Sequence, residues 1–173
     1  DELDSIIVAN FTMLSPPIMV HLMANKPYLI YEHDHKYVDT RDPSKFKDFQ
    51  IPESRVINRT FYESASAVVV LSKICKEIMG KTIPTATIQN IGCSLWSEET
   101  FDLLGIHNKE EKINDLCIMR NSNPTKNYFN TLQYCKRNNL DFGEIKPADQ
   151  SGFLSQMSEY RRLLFIPTVL ETF

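Results

Sequence analysis

Glycine-rich phosphate loops are missing from this sequence: its five glycines fall nowhere into a GxGxxG or Walker A pattern, and no GxSxG elbow surrounds any serine. That excludes the familiar dinucleotide fingerprint, the P-loop and the nucleophile-elbow hydrolases. There is no CxxC pair, and Cys75, Cys117 and Cys135 stand in apolar-patterned segments, so buried reduced thiols are expected rather than zinc or disulfides. No apolar stretch approaches the roughly 18 residues that a bilayer needs. The first residues, Asp-Glu-Leu-Asp, are the reverse of a basic signal-peptide start, which predicts a cytoplasmic protein. A net charge of −3 gives no general footprint for nucleic acid, so any anion site must be local. Internal repeats and low-complexity tracts are absent too.

What is present is an ordinary globular balance, 42% hydrophobic and 24% charged over 173 residues, in which short apolar runs alternate with helical patterns. That alternation predicts parallel βα units, an α/β fold. Strands are expected at Ile6–Asn10, Pro27–Tyr31, Ala67–Leu71, Thr85–Ile88, Asp115–Met119, Asp141–Ile145 and Leu163–Ile166. Helices are expected from Pro16 to about Ala24, Glu53 to Ser64, Ser72 to Gly80, Ser97 to Gly105, Lys126 to about Asn138 and Gly152 to Arg161. The Lys126 helix should turn Phe129, Leu132 and Cys135 to one face. The polar stretch "HNKEEKIN" suggests an interdomain connection over 94–113, between a first domain at 1–93 and a second at 114–173. The first apolar pattern begins at Ile6, no initiator Met precedes it, and the last strand leads straight into the closing residues; the expectation is an internal piece of a longer protein.

Four places can carry chemistry. In "CIMRNSNPTKN", Arg120 follows a strand and Lys126 opens a helix, and in an open α/β sheet ligands sit beyond the carboxyl ends of strands, where helix N-termini favour anions. The loop is either a diphosphate site or two ordinary surface cations. In "YEHDHKYVDTRD", His33 and His35 stand among Glu32, Asp34, Asp39 and Asp42. Strand alternation would put both histidines on one side, which leaves open a metal site, a polar cluster facing a cleft, or a solvated loop. Ser72, after "AVVVL", reads as a helix cap rather than a nucleophile. Glu171, in "FIPTVLETF", follows a strand expected to be buried on both faces; it is either a sugar-hydroxyl acceptor or a surface acid.

The order of these pieces resembles the retaining glycosyltransferases of the GT-B architecture, family 4. These pieces are a strand ending in His, "AVVVLS" with its helix, "TIQNIG", a strand ending in Arg with Lys after it, "SEYRRLLFIPT" and "ETF". The resemblance spans nearly all of the chain and the middle of such an enzyme. It implies two Rossmann-like parallel-sheet domains of the GT-B type, both incomplete here. Arg120 and Lys126 match the basic pair on the donor diphosphate, and Glu171 the first acid of a two-glutamate motif on the donor sugar. The backbone of Thr172 and Phe173 would begin the turn beneath sugar and phosphate, and His33 matches a strand-end His on the acceptor side. His33 and Glu171 are thus the implied catalytic residues.

Several positions depart from the family pattern. Met119 and Asn127 stand where the family usually has Gly, Ile91 separates Asn90 from Gly92, and one strand lies where two are usual before the Tyr160 segment. The base pocket would fall near Ile145 to Pro147.

The implied activity is transfer of a sugar from a nucleotide-diphosphate sugar to a carbohydrate or to a lipid or protein glycan, with retention. It needs no cofactor, no obligatory metal and no protein nucleophile. A peripheral membrane contact, and homo-oligomers formed through exposed sheet edges, are further expectations, and the isolated piece is expected to be inactive. Two alternatives stay open: a non-catalytic α/β ligand-binding or regulatory module, and a GT-B sugar-phosphate epimerase.

Overall fold

The computed structural model describes residues 5–109, 111–146 and 149–171. It is an α/β structure that divides into two compact units, 1–94 with 169–173, and 95–168. The stretch expected to connect two domains therefore contributes a helix to the second unit, and the last residues group with the first.

The first unit holds a four-stranded sheet of β1 (Ile6–Ala9), β2 (Tyr28–Tyr31), β3 (Ala67–Val70) and β4 (Ile88–Asn90), in that order and all parallel. The register sets Val8 beside Ile30, Ile30 beside Val68 and Val68 beside Ile88, so one row of branched side chains crosses the sheet. Such residues suit a pleated, half-buried surface. That row joins Phe11, Tyr28, Phe61 and Tyr62 in the core. The crossovers are α1 (Pro16–Asn25), α2 (Arg59–Glu63) and α3 (Lys73–Thr82).

Helix α3 buries Cys75, Ile78, Met79 and Thr82, a stripe at helical spacing that seats it on the sheet. The Ser72 hydroxyl accepts from the Cys75 amide and satisfies one of the unpaired donors of the first turn. Gly80 does not stop this helix, as its composition suggested. It lies inside, and a β-carbon there would make only ordinary contact with Ile88. The helix expected at 53–64 is broken as well: Glu53–Arg55 forms one 3-10 turn, and α2 begins only after Asn58, whose φ of 57° is left-handed. The strand expected at Thr85–Ile88 starts at Ile88 instead, the first residue in register with Val68.

The second unit has a three-stranded parallel sheet in the order β6, β5, β7, formed by β5 (Asn114–Met119), β6 (Gly143–Ile145) and β7 (Tyr160–Leu164). Its helices are α4 (Glu98–His107), α5 (Tyr128–Arg137) and α6 (Gln150–Ser158), and α4 packs on α6. The strand expected at Leu163–Ile166 starts earlier. Asp149 caps α6 ahead of the expected Gly152 start, so that helix ends at Ser158 and frees Tyr160 to pair with Asn114. Nor is β7 buried on both faces: it is an edge strand, with Arg161 and Arg162 exposed. In α5 the inward residues are Thr131 and Cys135, while Phe129, expected on the buried face, is 75% exposed. Entry through a left-handed Asn127 sets that rotation.

Candidate functional site

In the second unit the candidate residues flank one βα loop. Arg120 follows β5 directly and is exposed; its backbone amide donates to the Ile145 carbonyl (2.8 Å), which carries the pairing one step past the strand. Two Asx turns then shape the loop. Asn121 Oδ1 accepts from the Asn123 amide (2.8 Å), and Asn123 Oδ1 accepts from both the amide (3.0 Å) and the hydroxyl (2.8 Å) of Thr125. This second turn caps a single 3-10 turn at Pro124–Lys126.

Asn127 follows at φ 55°, a conformation that Asn tolerates better than other residues with a β-carbon. Its amide group ties three segments together: Nδ2 donates to the Ile166 carbonyl (2.9 Å), and Oδ1 accepts from Asn130 Nδ2 (2.6 Å). The chain leaving β7 is fixed beside the loop by the Thr168 amide, which donates to the Thr125 carbonyl (3.0 Å).

Lys126 therefore sits just ahead of α5, not in its first turn as expected, and its ammonium lies 5.5 Å from the Phe165 ring centre. That distance suits a cation–π contact. Asn121–Pro124 and Asn127–Asn130 line a cup of about 250 Å³ at the start of α5. Tyr128, which the sequence did not single out, lines it and is tied to a neighbouring strand. The Tyr128 hydroxyl donates to Glu144 Oε2 (2.7 Å), a bond that raises the phenol above its usual range while the Arg120 charge opposes the rise.

In the first unit the "EHDHKY" stretch behaves differently from a strand end. β2 stops at Tyr31, so alternation does not govern the two histidines, and His35 has φ 52°. They do not share a face: His33 is partly exposed, with Nδ1 3.3 Å from Asp34 Oδ2, and His35 is buried. Glu32 is the organising group. Its Oε1 accepts from the amides of Asp34 (2.9 Å) and Lys36 (3.1 Å), and its Oε2 accepts a very short bond from the Tyr62 hydroxyl. Burial and the Glu32 charge drive the Tyr62 phenol far above its usual range.

Lys36, also buried, places its ammonium 3.4 Å from Asp34 Oδ2 and 3.8 Å from Glu32 Oε1. His35 Nδ1 lies 3.1 Å from the Tyr37 hydroxyl. Burial pulls the His35 imidazole down to about 4 against the opposing pull of Asp42 and Asp34. Among the described residues, no group of three or more His, Cys, Asp or Glu is arranged to hold a metal.

Glu171 belongs to the first unit and is half-buried. Thr172, Phe173 and Pro147 lie outside the described residues.

No family model, curated protein or solved structure matches this chain.

The chemistry open to each unit follows from its geometry. The β5–α5 loop carries the Arg120 guanidinium and the Lys126 ammonium on the same segment as a polar cup at the start of α5, and cations with a helix start suit an anion with several oxygens. The cluster after β2 is a buried acid–phenol–ammonium network whose first effect is to fix the turn that carries His33. Its sequence signal was the crowd of acids near the histidines. Tyr62 carried no signal, because it meets Glu32 from 30 positions away.

Among the described residues no helix is long and apolar enough to cross a membrane. Cys75, Cys117 and Cys135 are buried, Cys93 is exposed, and none of the four is in a disulfide; burial pushes the Cys117 thiol up to about 11. A thiol held that high is a poor nucleophile at neutral pH.

Proposed function

We propose that this chain is part of a retaining glycosyltransferase of the GT-B type, moving a sugar from a nucleotide-diphosphate sugar to a carbohydrate, lipid-glycan or protein-glycan acceptor. The observation that carries the reading is the β5–α5 loop. Arg120 stands at the carboxyl end of a parallel strand, Lys126 stands at the far side of the loop, and the first turn of α5 opens between polar side chains. The left-handed Asn127 adds to it. This position, where the resembled family usually has Gly, keeps the backbone conformation that Gly would serve.

On this reading Arg120, Lys126 and the α5 terminus hold the donor diphosphate and stabilise it as it leaves. Charge on the leaving oxygens grows along the reaction, so fixed cations and aligned amides bind the transition state more tightly than the ground state. Glu171 accepts hydrogen bonds from the donor sugar, and His33 faces the acceptor. No side chain need form a covalent bond to the sugar.

Calorimetry of the full-length natural protein against UDP-, GDP- and ADP-sugars tests the proposal: one of them should bind. Arg120→Ala and Lys126→Ala should each weaken that binding roughly ten- to a hundred-fold, the worth of one charge-assisted hydrogen bond. Unchanged affinity in both variants rejects the site.

A further inference from the structure

Asp42 is 2% exposed, in the loop that follows β2 and ahead of the one-turn helix Pro43–Lys45. Of its two carboxylate oxygens, Oδ1 accepts all the hydrogen bonds made to the side chain. Oδ1 accepts from the Ser44 amide (3.1 Å), the Ser44 hydroxyl (2.6 Å) and the amide of Leu170 (3.2 Å), the last from 128 positions away. The Leu170 side chain packs against the core of the same unit. The residue just ahead of Glu171 is thus held twice, by an apolar contact and by a bond to a buried charge.

The local turn alone would not need a buried carboxylate. Ser44 donates twice to Oδ1, as an Asx turn does, and a neutral Asn offers the same acceptor oxygen. Meanwhile Oδ2 is buried with no hydrogen-bond partner, a costly arrangement if the turn were the whole purpose. Burial opposes ionisation of Asp42. The donations from Ser44 and Leu170, with Lys45 nearby, still leave its carboxyl below the ordinary range, so it is charged at neutral pH and bonds Leu170 as an anion.

We propose that Asp42 is a positioning residue, which anchors the backbone at Leu170 and so presents Glu171 from a fixed point of the chain. This rests on the reading of Glu171 as a donor-sugar ligand. The anchor itself does not, and the two can be tested apart. A carboxylate that must meet particular sugar hydroxyls gains from a backbone held in place beforehand, because the ordering is then complete before the substrate arrives.

The test uses the full-length natural protein. In amide hydrogen exchange, Asp42→Ala should speed exchange at Leu170 by about ten- to a hundred-fold, whereas Asp42→Asn, which keeps an acceptor oxygen but not the charge, should restore only part of the protection. In steady-state kinetics with the nucleotide-sugar, Asp42→Ala should lower kcat about ten-fold and leave the affinity for the free nucleoside diphosphate unchanged. Asp42→Asn should recover only part of that kcat. Leu170→Pro removes the donor, together with the leucine's apolar contact, and leaves the Ser44 bonds; it should give a kcat loss at least as large even if Asp42→Ala folds poorly.

Unchanged exchange at Leu170 in Asp42→Ala overturns the anchor. Faster exchange with unchanged kcat overturns its positioning role. A wild-type protein that turns over no nucleotide-sugar overturns the glycosyl-transfer reading and the role of Glu171, and the exchange measurement still decides whether Asp42 holds the chain.

Discussion

The two units treat charge in opposite ways. In the first, Glu32, Lys36 and Asp42 are each 2–3% exposed, and Glu32 is stitched to two backbone amides and a tyrosine. In the second, Arg162 and Asp115 pair across neighbouring strands at 66% and 61% exposure, and Arg120 reaches into solvent. Buried ions cost several kcal/mol each to desolvate, so the bonds that Glu32 and Asp42 Oδ1 accept, and the acids facing Lys36, offset a real penalty. Exposed pairs cost little and contribute little. The first unit therefore holds one arrangement of its β2 loop with buried charge, whereas the second carries the Arg162–Asp115 pair and Arg120 at its surface.

Breaking the buried network gives the largest expected effect. Glu32→Ala leaves the Lys36 ammonium facing Asp34 alone and the Tyr62 hydroxyl without an acceptor, and should cost about 3–5 kcal/mol in urea unfolding. Glu32→Ala combined with Lys36→Met should cost less than the single change, because the stranded charge goes with it. A loss under about 1 kcal/mol for Glu32→Ala would mean that the network contributes little, as exposed pairs do.

Next in size is a pH effect. The His35 imidazole titrates at about 4 when folded, against 6.5 for the ordinary group. Between those values the unfolded chain binds the extra proton, so stability is highest above pH 6.5 and falls as the pH drops toward 4. The loss amounts to about 3 kcal/mol, and His35→Gln should remove that part of the slope in unfolding curves taken from pH 7 to 4. The Asp42 carboxyl, lowered in the fold, adds loss of the same sign only at more acid pH. If the slope is unchanged in His35→Gln, burial is not what holds this histidine neutral.

The smallest effect belongs to the second unit. Arg162→Ala should cost under about 1 kcal/mol despite its two bonds to Asp115, and should vanish in high salt. A cost as large as that of Glu32→Ala would erase the contrast between the units.

Legibility in the sequence followed the range of the interaction. The apolar runs within Ile6–Ala9, Tyr28–Tyr31, Ala67–Val70 and Asn114–Met119 mark their strands, because a short stretch of β-branched and aromatic side chains is a local signal, even though burial along each strand alternates or is partial. Element ends were harder. Asn58 and Asn127 interrupt helical patterns by turning left-handed, and Gly80 lets a helix pass, although composition favours the opposite at Gly. In the candidate site, Arg120 and Lys126 were visible as two cations on one loop. The Glu144 partner of Tyr128 was not, since it arrives from a different strand.

By itself the sequence determined the α/β class, the parallel βα alternation and the loops that carry the candidate residues, because periodicity and turn residues act over a few positions. Only the tertiary structure decided that His33 and His35 part company, that Glu32 is gripped by Tyr62, and that the chain ahead of Glu171 is tied to Asp42. Those outcomes depend on groups brought together from 30 and 128 positions apart, and on burial that strengthens each bond between them.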